Sequence, residues 1–230
     1  MKKLARPFVT ANFAVTADGR ISTRRRTPAD FSSKRDKHRL LEIRAECDAI
    51  LVGIGTVTTD NMALGLPDPE LRRARLAAGR REYPLRVLLT NSGRIPTRLR
   101  LFTKTFSPIH IFSTERMPRL ARSRLAAKAS LHLDDSPDVD LARMLATLRK
   151  DCGVRRLVCE GGARVLRSLL EADLLDELHV TVCPRIFGGS QAPTLTGIAD
   201  SYLPRSVSLE LCDFDIVDAE CFLRYRVTRS

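Results

Sequence analysis

Two carboxyls beside two glycine-rich turns are the features of this 230-residue sequence that could do chemistry. Asp60 follows the apolar run Asp48-Ala-Ile-Leu-Val52 and the turn Gly53-Ile54-Gly55-Thr56. Glu160 follows a second such run, Arg155-Arg-Leu-Val-Cys159, and precedes Gly161-Gly162. A carboxyl at the apolar end of a strand is poorly hydrated, which favours its protonated form and lets it donate a proton. Each residue also has a plain structural reading, Asp60 in a turn and Glu160 as an anion at a helix terminus. A glycine pair where a strand enters a helix lets the backbone approach a diphosphate, toward which the free helix amides direct partial positive charge. A tight turn would use the same residues, and neither Gly-x-Gly-x-x-Gly nor Gly-x-x-x-x-Gly-Lys-Ser/Thr occurs.

The elements that must position these residues are legible in the periodicity. Pro7–Val15 reads as a first strand and Ser33–Cys47 as a helix capped by Ser32 or Ser33. Asp48–Val52, Arg86–Thr90, Ile109–Ser113 and Arg155–Cys159 read as short buried strands. If these run parallel, Thr56, Asp60, Asn91, Ser92, Ser113, Thr114 and Glu160 gather around one cleft at their carboxyl ends, where open α/β sheets bind ligands. Residues 61–84, with a helical stretch at Leu71–Arg81, read as a surface excursion. A basic helix near Arg119–Lys128, a strand at Leu131–Leu133 and a helix Val139–Asp151 ended by Gly153 come next. Arg155–Cys159, the helix Ala163–Ala172 and Glu177–Cys183 form a β-α-β unit, the source of parallel sheets. Val207–Val217 and Cys221–Val227 alternate as an antiparallel pair joined by Asp218-Ala219-Glu220. Asp18-Gly19 is a turn signal.

Length and 43% hydrophobic composition fit one domain with a substantial core. No apolar run reaches the roughly 18 residues of a membrane-spanning helix, and the N-terminus carries no signal-like apolar core, so a cytoplasmic protein is expected. The six cysteines form no Cys-x-x-Cys pair and the four histidines lie far apart, so free thiols and no metal site are expected. The net charge of +12 is concentrated in residues 64–130, where fifteen basic residues face four acidic ones. Such a block suits a polyanion, either nucleic acid or a phosphorylated cofactor and substrate.

The chain resembles the reductase domain of the riboflavin-biosynthesis deaminase/reductase (RibD/RibG) and its stand-alone archaeal and fungal relatives. The resemblance runs through Arg6-Pro-Phe-Val-Thr-Ala-Asn12, Asp18-Gly-Arg-Ile21, Ile43-Arg-Ala45, Asp48–Val57, Arg86-Val-Leu-Leu89 and Arg94-Ile-Pro96. It continues through Val158-Cys-Glu-Gly-Gly-Ala-Arg164, Leu169–His179 and Pro184-Arg-Ile-Phe-Gly-Gly189. It implies a dihydrofolate-reductase-like α/β domain with a mostly parallel sheet, flanking helices and an antiparallel C-terminal hairpin. It further implies a homodimer and transfer of hydride from NADPH to C1′ of a ribosylaminopyrimidine 5′-phosphate. Asp60 and Glu160 would be catalytic, with Asp60 as the acid at the imine nitrogen. Asn12, Ser32, Asn61 and Leu64 would meet the substrate. Ala14, Asp18, Gly19, Gly53, Thr56, Val57, Ser92, Ser113, Thr114, Gly161, Gly162 and Ala163 would meet the cofactor, with Arg94 or Arg116 near its 2′-phosphate.

One departure bears on the substrate. The family pattern after Asp60 ends in an arginine where this chain has Pro67, so a substrate phosphate would need another cation, with Arg72 or Arg73 the nearest in sequence. The chain carries no His-x-Glu with Pro-Cys-x-x-Cys deaminase motif. A pteridine or other small-molecule reductase with a diverged pocket is the second enzymatic reading. A nucleic-acid-binding module is opposed by the absence of Trp and the 5% aromatic content, which leave little for bases to stack on.

Overall fold

The computed structural model describes residues 5–23, 31–197 and 202–228. In chain order the elements are β1 (Phe8–Thr16), α1 (Lys34–Glu46), β2 (Ala49–Gly53), α2 (Ile54–Asp60), α3 (Pro69–Ala77), β3 (Leu85–Leu89), α4 (Arg100–Thr103) and β4 (Ile109–Thr114). They continue as α5 (Arg119–Ala126), β5 (Ser130–Asp134), α6 (Leu141–Asp151), β6 (Arg156–Cys159), α7 (Ala163–Glu171), β7 (Glu177–Cys183), β8 (Ser208–Val217) and β9 (Glu220–Thr228). The strands form one sheet in the order β5-β4-β3-β2-β6-β1-β7-β9-β8. Pairing is parallel from β5 to β7 and antiparallel for β7–β9 and β9–β8, the arrangement read from the sequence.

The central strands are apolar on both sides because helices cover both. Val9, Ala11, Phe13 and Val15 of β1 pack with Leu51, Leu157 and Cys159 under α6 and α7. Ile50, Val52, Leu88, Ile111 and Val158 pack on the other side against α1, α4 and α5. The even-numbered residues of β1, Thr10, Asn12, Ala14 and Thr16, therefore face the α1 side.

Ser33 is the α1 N-cap, its hydroxyl accepting from the Asp36 amide at 3.1 Å. Glu220, expected in the hairpin turn, is instead the first residue of β9. There its carboxylate accepts from the Ser33 amide at 2.8 Å and hydroxyl at 2.5 Å, tying the hairpin to the start of α1. The 61–84 segment is more than a surface excursion. Arg75 of α3 is 2% exposed and donates to the Arg44, Ala45 and Cys47 carbonyls, the acceptors left open at the end of α1. All six cysteines are unpaired, although Cys212 is exposed rather than buried.

Candidate active site

The carboxyl ends of β1, β2 and β6 share one edge, and the two glycine turns are joined there. The Gly53 amide donates to the Gly161 carbonyl at 3.0 Å, and the Gly162 amide donates to Thr56 Oγ1 at 2.8 Å. The residues after Gly53 are not a turn, as the sequence implied, but the helix α2, with Gly53 its cap and Val57 its fully buried anchor. Gly161 has φ +130°, and a Cβ there would stand 3.1 Å from Thr56 Oγ1, so both backbone freedom and space require glycine. Gly162 caps α7 without a side-chain acceptor, and the amides of Ala163 and Arg164 have no acceptor among the described residues. A helix start left open in this way accommodates an anion.

The two carboxyls differ sharply in surroundings. The Glu160 side chain is 3% exposed and held through both oxygens by Arg44, with Nε to Oε1 and Nη2 to Oε2 both at 2.6 Å. Arg44 donates its remaining nitrogen, Nη1, to the Gly65 carbonyl at 2.7 Å. Burial would lower the Arg44 pKa, but the charge and hydrogen bonds of Glu160 prevail and raise it. With both oxygens so engaged, the Glu160 carboxyl is held in one position. Asp60 ends α2, which Asn61 stops in a left-handed conformation at φ 45°. Its carboxylate has no partner among the described residues. Asp60 is open to solvent, yet the protein around its carboxyl removes enough hydration to raise its pKa. Of the two, Asp60 has the character of an acid.

The remaining predicted residues divide. Asn12 is half-buried on the α1 side of β1, beside the position where Glu160 leaves β6, and Ala14 follows on the same face. Ser32, half-buried, precedes the α1 cap. Asn61 is exposed and its Oδ1 accepts from the Arg100 amide at 2.9 Å, which leaves its Nδ2 open, whereas Leu64 is 1% exposed at φ 55° and shapes the loop from within. Asp18 accepts from the Thr16 hydroxyl at 2.5 Å and from the Gly188 and Phe187 amides at 2.7 and 3.2 Å. The Thr16 bond, chiefly, lowers its pKa to about 2. Asp18, with Gly19 completing its turn, thus pins the 187–189 loop over the end of β1.

Ser92 is exposed after β3, but Ser113 and Thr114 are fully buried and do not line an open cleft. Thr114 Oγ1 is committed to the Asn91 carbonyl at 2.7 Å. Neither proposed substitute for the missing arginine is free, since Arg72 bonds the Leu66 and Pro67 carbonyls and Glu82, and Arg73 pairs with Glu70. Arg100, whose backbone is tied to Asn61, is exposed and unpaired among the described residues. Arg44 went unrecognised as a site residue because its partner lies 116 positions away.

Residues 7–215 match the RibD C-terminal domain family. The chain belongs to this family. Among RibD C-terminal relatives, the 2,5-diamino-6-ribosylamino-4(3H)-pyrimidinone 5′-phosphate reductase of Methanothermobacter thermautotrophicus is 34% identical over 90% of this chain and 91% of its own. The protein of the same name from Archaeoglobus fulgidus is 34% identical over 83% and 86%. In fold, a pyrimidine reductase-like protein of Corynebacterium diphtheriae superposes with a TM-score of 0.85 at 20% identity, covering 97% of this chain and 93% of that one. The riboflavin biosynthesis reductase Rib7 of Saccharomyces cerevisiae gives 0.71 at 21%, covering 97% and 90%. Dihydrofolate reductase from Enterococcus faecalis gives 0.51 at 15%, covering 96% and 99%, so this RibD C-terminal domain shares the dihydrofolate-reductase-like fold.

Proposed function

We propose that the chain is an NADPH-dependent reductase that converts a ribosylaminopyrimidine 5′-phosphate to its ribitylamino product in riboflavin biosynthesis. The observation that carries this reading is the unpaired Asp60 carboxyl with its raised pKa, at the end of the helix α2 that Gly53 and Thr56 tie to the Gly161-Gly162 turn. The cradle fits a dinucleotide: Gly161 leaves the space a Cβ would fill, and the Ala163 and Arg164 amides stand ready for a diphosphate. When bound, the cofactor supplies the hydride. Asp60 supplies a proton or hydrogen bond to the imine nitrogen, which speeds hydride addition at the adjoining carbon. Arg44 fixes the Glu160 carboxyl beside Asn12, giving the pyrimidine or its hydroxyls an acceptor wall.

The basic block of residues 64–130 supports the 2′-phosphorylated cofactor over its unphosphorylated form. The test is steady-state turnover of the ribosylaminopyrimidine phosphates with NADPH and with NADH. Turnover with NADPH at higher kcat/KM is the expected result, and a preference for NADH or for a pteridine would overturn the reading. No helix among the described residues is long and apolar enough to cross a membrane, and the six free thiols suit the reducing cytoplasm where we place this work.

We also propose that the protein works as a homodimer. β8 is an edge strand whose Leu209, Leu211, Phe214 and Ile216 are all exposed, the last two by about two thirds. Their cross-strand partners Val227, Tyr225, Leu223 and Cys221 continue the same apolar face, while Glu210, Asp213, Arg224 and Arg226 occupy the opposite one. An apolar sheet face of this kind is what a second copy buries. Sedimentation equilibrium is expected to give a dimer for the parent chain and a monomer for Ile216→Glu, and a monomeric parent would dismiss the proposal.

A further inference from the structure

On the α1 side of the sheet, three adjacent central strands each present one polar residue at nearly the same level. Glu160 leaves the end of β6, Asn12 stands in β1, and His179 stands in β7 directly paired with Asn12. The two outer residues are held. Glu160 is fixed by Arg44, and the His179 ring meets Glu177 Oε1 through Nε2 at 2.8 Å. Glu177 remains an anion. Burial alone would raise its pKa, but the His179 hydrogen bond and the positive charges of Arg224 and Arg156 bring it below the usual carboxylate range.

A carboxylate can only accept, so Nε2 carries a proton, and in the neutral ring Nδ1 is then the acceptor. That Nδ1 is buried and has no partner. A buried acceptor without a donor is unfavourable, and such atoms in folded proteins call for a partner. The residue at the paired position has one to give. The Asn12 carboxamide makes no hydrogen bond among the described residues, and paired residues on neighbouring strands stand only about 4.8 Å apart.

We propose that His179, clamped by Glu177, is a positioning residue that takes the Asn12 Nδ2 amide on its Nδ1 and thereby points Asn12 Oδ1 at the substrate. The inference rests on the reading of Asn12 as part of the substrate site. A free carboxamide can turn either end to a ligand, since its donor and acceptor ends are nearly equal in shape. Fixed by His179, it presents an acceptor, and with the Glu160 carboxylate beside it the wall selects a ligand edge carrying N–H or O–H donors. Amino and hydroxyl groups on a ribosylaminopyrimidine supply such an edge.

The test is a double-mutant cycle on the full-length chain, reading kcat and KM for the pyrimidine, NADPH affinity by calorimetry, and thermal melting. His179→Leu is expected to lower kcat/KM about tenfold with NADPH affinity unchanged. His179→Asn, which keeps an acceptor near the Nδ1 position, is expected to recover most of that loss. In an Asn12→Ala background, His179→Leu is expected to change kcat/KM less than about twofold, because the group it acts through has gone. Equal losses from His179→Leu in both backgrounds, no loss at all, or a failure of His179→Asn to recover activity would overturn the inference. If Asn12→Ala lowers kcat/KM and His179→Leu does not, the inference alone falls. If Asn12→Ala changes nothing, the assignment of Asn12 to the substrate site falls with it.

Discussion

Asp60→Asn is expected to lower kcat by about 10²–10⁴-fold, the range over which a positioned general acid contributes, while NADPH binds as before. The substitution keeps the size of the side chain and the end of α2, which depends on the Asn61 backbone and on the buried Val57. It removes only the ionisable acid, since a carboxamide gives up no proton. The pH profile carries a second signature. Lost hydration raises the Asp60 pKa, and an acid must be protonated to act, so kcat/KM is expected to be high below that raised pKa and to fall as pH rises through it. In the Asn variant this alkaline fall disappears, since nothing at that position titrates. Near-full activity in Asp60→Asn, or an unchanged alkaline limb, would remove Asp60 from the mechanism.

Why Asp60 could be singled out in the sequence while Arg44 could not follows from how each signal is written. The strands around the site are short apolar runs ended by glycine, and their order in the chain already implies a parallel sheet with its ligand edge at Thr56, Asp60 and Glu160. The C-terminal hairpin showed itself through alternation, because one of its faces is apolar and the other charged. The helix α2 stayed hidden because Ile-Gly-Thr-Val-Thr-Thr favours strand or turn when taken alone. Tertiary contacts override that preference, with Val57 buried beneath the helix and the Gly162 amide on Thr56. Glu220 was hidden for another reason, since the Ser33 it binds is 187 positions away and no local pattern registers such a partner. His110 and His132, remote in sequence, likewise meet at 3.1 Å only because β4 and β5 are neighbours. Local period and turn chemistry thus locate a site, whereas the charge partners that decide what each site residue can do are set by long-range packing.

Arg44→Met brings the largest expected change in stability, about 3–5 kcal/mol, because it strands Glu160 as a buried anion without its partner. For a chain of this size, such a loss lowers the melting temperature by about 6–20 °C, measurable by calorimetry or circular dichroism. Removing both charges in Arg44→Met/Glu160→Leu is expected to recover much of the loss, since a buried pair replaced by well-fitting apolar groups is often neutral to stability. Arg44→Lys is not expected to serve as a substitute, because a lysine ammonium cannot grip both carboxylate oxygens and the Gly65 carbonyl from one planar group. The same contacts bear on catalysis. Through Gly65, Arg44 ties the loop that follows Asp60 to the end of β6, so the stable double variant is expected to fold and yet turn over poorly. A melting temperature within a degree of the parent in Arg44→Met would show that Glu160 does not depend on this pair. Full activity in the folded double variant would show that the site does not need the pair, leaving Asp60 to act without a fixed carboxylate opposite it.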